Sequence, residues 1–157
     1  MKDDRLEVKD QQRRIEPLEE RRLLPSLLLW LRSTRRLGAA SLAVKEVRWM
    51  GRQVDLVVTT GGGRATAFEL KLSHITRATE QAVYNRPAFA RSYIVTSAVP
   101  RPANMAFAQE HGVGILLVRD GGISVLIKSP FQRVDKGLER RVAAAVAATV
   151  EQGRRIA

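Results

Sequence analysis

Val54-Asp55-Leu56-Val57-Val58-Thr59-Thr60-Gly61-Gly62-Gly63-Arg64-Ala65-Thr66-Ala67-Phe68-Glu69-Leu70-Lys71-Leu72 is two largely apolar runs joined by three consecutive glycines. Such runs on either side of a glycine turn predict a β-hairpin. With the turn centred on Gly62, residues equidistant from it lie opposite one another, which sets Asp55 against Glu69 on one face. Their Cβ atoms would be roughly 4.5–5.5 Å apart, and Lys71 follows on that face roughly 7 Å along the strand. Phe68, Leu70 and Leu72 take the other face as core. A one-residue bulge in the turn would shift this register. Like charges set directly opposite destabilise a sheet. At about 4 Å and an effective dielectric near 20 the repulsion is on the order of 4 kcal/mol. Lys71 offsets part of it, and a divalent cation would offset more.

Upstream, Val44 to Met50 reads as another strand, turned into the hairpin by Gly51-Arg52. Before it, Pro17 to about Arg36 has helical periodicity, with Leu18, Leu23, Leu24, Leu27, Leu28 and Leu31 as an apolar face. Pro25 is expected to kink or divide this helix, and Gly38 to stop it. Residues 1–16 are dense in charge and predict a frayed arm or a solvated helix. Downstream, a helix is expected from Ile75 to about Ala90, limited by Pro87, then a strand over Ser92–Thr96. A helix over Pro102–His111 and a strand over Val113–Val118 come next. Gly121-Gly122 turns into an edge strand over Ile123–Lys128, and Arg133–Gly153, rich in alanine, reads as a terminal helix. The order α-β-β-β-α-β-α-β-β-α predicts one α/β domain, a mixed central sheet flanked by helices. Residues 17–130 form its body, with 131–157 a helix packed on it.

Composition narrows the chemistry. The chain has no cysteine, which removes disulfides, thiolate zinc sites and a cysteine nucleophile. His74 and His111 are the only histidines, too few for a multi-histidine metal site. No apolar run approaches the roughly 20 residues of a membrane-spanning helix, and Met1–Arg5 lacks a secretory signal's apolar segment. A cytoplasmic protein is expected. The net charge of +11 points to a polyanionic partner, nucleic acid first. Of 27 basic residues 21 are arginine, the side chain that grips phosphate bidentately. Low aromatic content argues against a base-stacking platform.

Asp55 followed by Glu69-Leu70-Lys71, within an αβββαβ order covering about residues 17–118, resembles the PD-(D/E)XK nuclease superfamily, the restriction-endonuclease-like fold. The resemblance implies Asp55 and Glu69 as ligands of Mg²⁺ or Mn²⁺, the Leu70 backbone carbonyl as a further ligand, and Lys71 as the catalytic lysine. Hard oxygen donors with places left for water and substrate phosphate suit such an ion. It also implies a polar residue on the helix after the third strand. Gln81 and Asn85 share one helical face there, with Tyr84 nearby, and Gln81 is the choice for substrate or water contact. Val54 stands where a proline sometimes precedes the acid. A further glutamate ligand is open among Glu16, Glu19, Glu20 and Glu46. Glu7-Val8-Lys9 has the same tripeptide form but no strand context.

The expected activity is hydrolysis of phosphodiester bonds in nucleic acid, DNA favoured, with Arg48, Arg52, Tyr84 and Asn85 as strand contacts. A catalytically silent nucleic-acid-binding domain or assembly subunit on the same fold is the alternative. His74, His111, Arg64 and the glycine tip read as loop or structural residues. Val142, Val146 and Val150, spaced i, i+4, offer either a homodimer face or a packing stripe.

Overall fold

A computed structural model describes residue 20 and residues 22–157. The expected arm over residues 1–16, together with Pro17, Leu18, Glu16 and Glu19, lies outside the described residues. Helix α1 runs through residues 22–33. It leads into strands β1 (Leu42–Trp49), β2 (Arg52–Thr59) and β3 (Ala65–Leu70). Helix α2 (Ile75–Asn85) and a 3₁₀ turn (Arg86–Ala88) connect to β4 (Arg91–Thr96), and α3 (Pro102–Glu110) connects to β5 (Val113–Arg119). The edge strand β6 (Gly122–Ile127) and helix α4 (Lys136–Glu151) complete the order. The six strands form one open sheet in sequence order. β1, β2 and β3 are an antiparallel meander, β3, β4 and β5 run parallel, and β6 returns antiparallel to β5. This is an α/β protein with four helices, among the described residues, on a six-stranded mixed sheet.

Strand alternation sorts the apolar residues into two faces. Leu56, Val58, Phe68, Leu70, Tyr93 and Val95 meet Leu23, Leu27, Leu28 and Leu31 of α1. On the other face Val57, Ala65 and Ala67 meet Val142 and Val146 of α4, while Ile94 and Ile115 meet Ala78 and Ala82 of α2 and Ala108 of α3. Each fully buried leucine of α1 contributes roughly 1.5–3 kcal/mol. Gly114 is required where it stands: a Cβ there would lie 2.3 Å from the Tyr93 ring, which stacks on Phe68 at 5.6 Å. No described helix is long and apolar enough to cross a membrane.

Several boundaries differ from expectation. α1 runs through Pro25, whose exposed position disturbs no packing. It ends well before Gly38, in a Schellman turn. Arg35 takes the left-handed conformation (φ 59), with Arg35 N donating to Arg32 O and Arg36 N to Leu31 O. α4 starts only at Lys136, where the Asp135 carboxylate caps Gly137 N and Leu138 N. Its valine stripe is spent inside the chain: Val142 and Val146 are buried and Val150 packs beside them. Of the two readings of this stripe, intrachain packing is the one these valines serve.

Candidate functional site

The β2–β3 ladder pairs Thr59 with Ala65, Val58 with Thr66, Val57 with Ala67 and Leu56 with Phe68. Every pair is equidistant from Gly62, so the turn carries no bulge and the register continues to Asp55 opposite Glu69. The ladder stops one step short of that pair. In its place the Asp55 side chain enters the seam and accepts from Leu70 N through Oδ2 at 2.8 Å. On the other side β1 pairs Lys45 with Leu56 and Val47 with Val54, leaving Glu46 unbridged against Asp55. Glu46 has a left-handed backbone (φ 55). Val44 and Val57 on one side of this break, and Val47, Trp49 and Val54 on the other, all enter the same core. Strict alternation would split them between faces, so the pleat resets at Glu46 and Asp55.

Glu69 is buried, with 3% of its surface exposed, and its Oε1 accepts from Asn85 Nδ2 at 3.0 Å. Its carboxyl also lies close enough to that of Asp55 for the two to act on each other. Burial first, and the Asp55 charge second, push the Glu69 carboxyl up to about 9, against the smaller pulls of Asn85 and Lys71. Burial raises Asp55 too, opposed by the Leu70 N–H, the Glu69 carboxyl and the Lys71 charge. Two carboxyls this close cannot both ionise cheaply, and Glu69 is the one that keeps its proton at neutral pH.

Lys71 follows the last residue of β3, which ends two residues short of the expected Leu72, and its N–H still donates to Val95 O at 3.0 Å. The ammonium lies 3.9 Å from Glu20 Oε1 of the α1 end, close enough to the carboxyl pair to act on both charges. The structure thus brings Asp55, Glu69, Lys71 and Glu20 together at the C-terminal end of β3, where parallel strands commonly present ligand sites. Glu46 neighbours Asp55 but is exposed and paired with Arg154 (Oε2 to Nε 3.7 Å). Arg52 lies over the Tyr84 ring at 4.0 Å, so both stand at the rim, and Arg48 is exposed on β1. Asn85 departs from expectation. It is buried, held off the surface by its bond to Glu69, so it serves the carboxylate and not a nucleic-acid strand. Gln81 sits one turn before it, with Oε1 closed to solvent and without a hydrogen-bond partner. His74 is the left-handed N-cap residue of α2 (φ 56) with no side-chain cap bond.

Asn85 belongs to a buried α2 stripe with Ala78 and Ala82, and the sequence reading preferred Gln81 over it. Arg86, also buried, spends its guanidinium on the carbonyls of Phe89, Ala90 and Pro130; no sequence pattern pointed to it.

Two hard-oxygen carboxyls are a donor set suited to Mg²⁺ or Mn²⁺, with water and phosphate completing the sphere. Leu70 N and Asn85 fix one oxygen of each carboxyl, an orienting shell of the sort metal ligands need. Among the described residues no group of three His, Asp or Glu side chains converges on one point. The residues therefore fit an ion that takes two protein carboxylates and draws its other ligands from elsewhere.

No family model matches the chain, and no curated protein matches it. Among solved structures it is similar to the SPO1766 protein of unknown function from Silicibacter pomeroyi, with a TM-score of 0.58. That similarity covers 78% of this chain and 79% of the other, at 17% identity, and speaks to the fold alone.

Proposed function

We propose that the chain is a metal-dependent nuclease on a restriction-endonuclease-like αβββαβ core, hydrolysing phosphodiester bonds of nucleic acid, DNA in the first place, in the cytoplasm. The observation that carries this reading is the buried Asp55–Glu69 pair set beside Lys71 at the end of β3. A structural ion pair would not need two carboxyls held together at the cost of retaining a proton on one of them. The order α1-β1-β2-β3-α2-β4 agrees with the core of the PD-(D/E)XK superfamily that the Asp55 and Glu69-Leu70-Lys71 pattern resembles.

A bound Mg²⁺ or Mn²⁺ would polarise the phosphoryl oxygen and acidify a water. The chain's own residues do the positioning. Asp55 and Glu69 would hold the ion, Leu70 N and Asn85 keep their carboxyls from rotating, and Glu20 steers the Lys71 ammonium. From there Lys71 orients the attacking water and stabilises charge growing on the phosphate. Water oxygen bonds to phosphorus and gives up a proton to solvent, the bond to the leaving sugar oxygen breaks and that oxygen takes a proton from solvent, and no covalent enzyme intermediate forms. Arg52 and Tyr84 at the rim, with Arg48 exposed on β1, supply backbone contacts that position a strand without reading its sequence.

Nicking of supercoiled plasmid and of branched DNA with Mg²⁺ or Mn²⁺ tests this. Activity is expected in the native chain and absent from Asp55→Ala and Lys71→Ala; full activity in either variant overturns the assignment. A second reading, a silent nucleic-acid-binding or assembly subunit, is favoured by the lack of a third converging carboxylate among the described residues. Under it, DNA binding persists and no divalent-ion site vanishes on Glu69→Ala.

A further inference from the structure

We infer that a second pocket, on the α1 face and at the opposite end of β3 from the carboxyl pair, binds a nucleoside phosphate moiety. Thr66 pairs with Arg91 at the start of β3 and β4, three residues and about 10 Å along the strand from Glu69. Alternation turns Thr66, Phe68, Arg91 and Tyr93 toward α1, whereas Glu69 faces α2. Between this edge and the end of α1 lies a cavity of about 440 Å³, within the range of small-molecule sites.

Three arginines line it, Arg35, Arg36 and Arg91. The Nε of Arg91 is closed to solvent and has no acceptor. Among the described residues the ion pairs are Lys71 with Glu20 and Arg154 with Glu46, so no described carboxylate neutralises the three arginines. The negative end of the α1 dipole accounts for cations at Arg35 and Arg36, but not for a buried, unsatisfied donor on Arg91. Arg86 brings no relief: it is occupied by backbone carbonyls, and burial, then the Arg91 charge, pull its guanidinium below the ordinary range. A fork of N–H donors without an acceptor is suited to bidentate phosphate.

The remaining walls say what the phosphate carries. Trp30, half-buried and with Arg36 stacked on it at 4.5 Å, gives an edge for a ring, and the buried Phe68–Tyr93 stack closes the apolar wall behind it. The Thr60 and Thr66 hydroxyls line the same space and suit a sugar. Inorganic phosphate alone would leave the apolar walls wet. A nucleoside phosphate fills all three roles, as a free nucleotide or as a residue of a strand.

Titration of the full chain with AMP, inorganic phosphate, and a short single-stranded oligonucleotide with and without a 5′ phosphate tests the proposal, followed by calorimetry and tryptophan fluorescence. Saturable AMP binding, competed by phosphate, is expected, weakened roughly tenfold or more by Arg91→Gln and also by the exposed-site variant Arg36→Gln. Asp55→Asn is expected to leave it unchanged, which separates this site from the proposed nuclease centre. AMP binding as tightly as the phosphorylated oligonucleotide makes a free nucleotide the ligand. Tighter oligonucleotide binding that Arg91→Gln still weakens makes it a strand. Absence of saturable binding of every probe, or binding unaltered in both arginine variants, overturns the proposal.

Discussion

Glu69→Gln is expected to stabilise the metal-free protein, and to do so only as pH rises. Glu69 ionises at 4.5 ordinarily and at about 9 in the fold. Below pH 4.5 both states hold the proton and the group contributes nothing. Between pH 4.5 and 9 the unfolded chain releases a proton that the folded chain retains, so stability falls with rising pH. At about 1.36 kcal/mol per unit, the cost at pH 7 is about 3 kcal/mol and grows toward pH 9. Glutamine keeps an acceptor for Asn85 and offers an amide donor to Asp55, while removing the titration. For a chain of this length about 3 kcal/mol corresponds to roughly 6–12 °C in Tm. Thermal unfolding in chelator-treated buffer at pH 4.5, 6, 7 and 8 provides the assay. The variant and native curves should coincide near pH 4.5 and diverge steadily above it. A variant less stable than native at pH 8, or a difference that does not change with pH, would refute the reasoning that Glu69 is buried against a like charge.

Asn85→Ala removes the donor that holds down the Glu69 carboxyl and orients it, so Mn²⁺ affinity by calorimetry should fall about 10–100-fold; unchanged affinity counts against the positioning role. Divalent-ion affinity of the native chain should rise with pH up to about 9 as proton competition at Glu69 is relieved, and a flat profile from pH 6 to 8.5 would contradict this. Gly114→Ala places a methyl against the Tyr93 ring and should cost roughly 1–3 kcal/mol in urea unfolding. Leu31→Ala should cost roughly 2–5 kcal/mol in the same assay, because Leu31 sits fully inside the α1 face of the core.

The hairpin was legible because its turn chemistry and its alternation agreed. Three glycines fixed the centre, and Phe68, Leu70 and Leu72 then had one side to face. The reset of the pleat at Glu46 and Asp55 was not legible, since alternation presumes an unbroken ladder. Nothing local announces that a carboxylate will take Leu70 N from the backbone. Gln81 and Asn85 were readable as one helical face, but which of them meets Glu69 depends on how the crossover helix seats on the sheet. The end of α1 went to Arg35 and not to Gly38 because two backbone bonds to Arg32 and Leu31 outweigh the strain of a left-handed arginine. Tertiary packing likewise took the α4 valines that a dimer would have needed.

The core assertion is that a hard cation replaces the proton that Glu69 keeps beside Asp55. Mn²⁺ titration calorimetry at pH 7.5, repeated in buffers of different ionisation enthalpy, counts protons as the ion binds. A single site releasing close to one proton, and lost in Asp55→Asn and Glu69→Gln, is the predicted result. Binding without proton release, or a site that survives both substitutions, would contradict it.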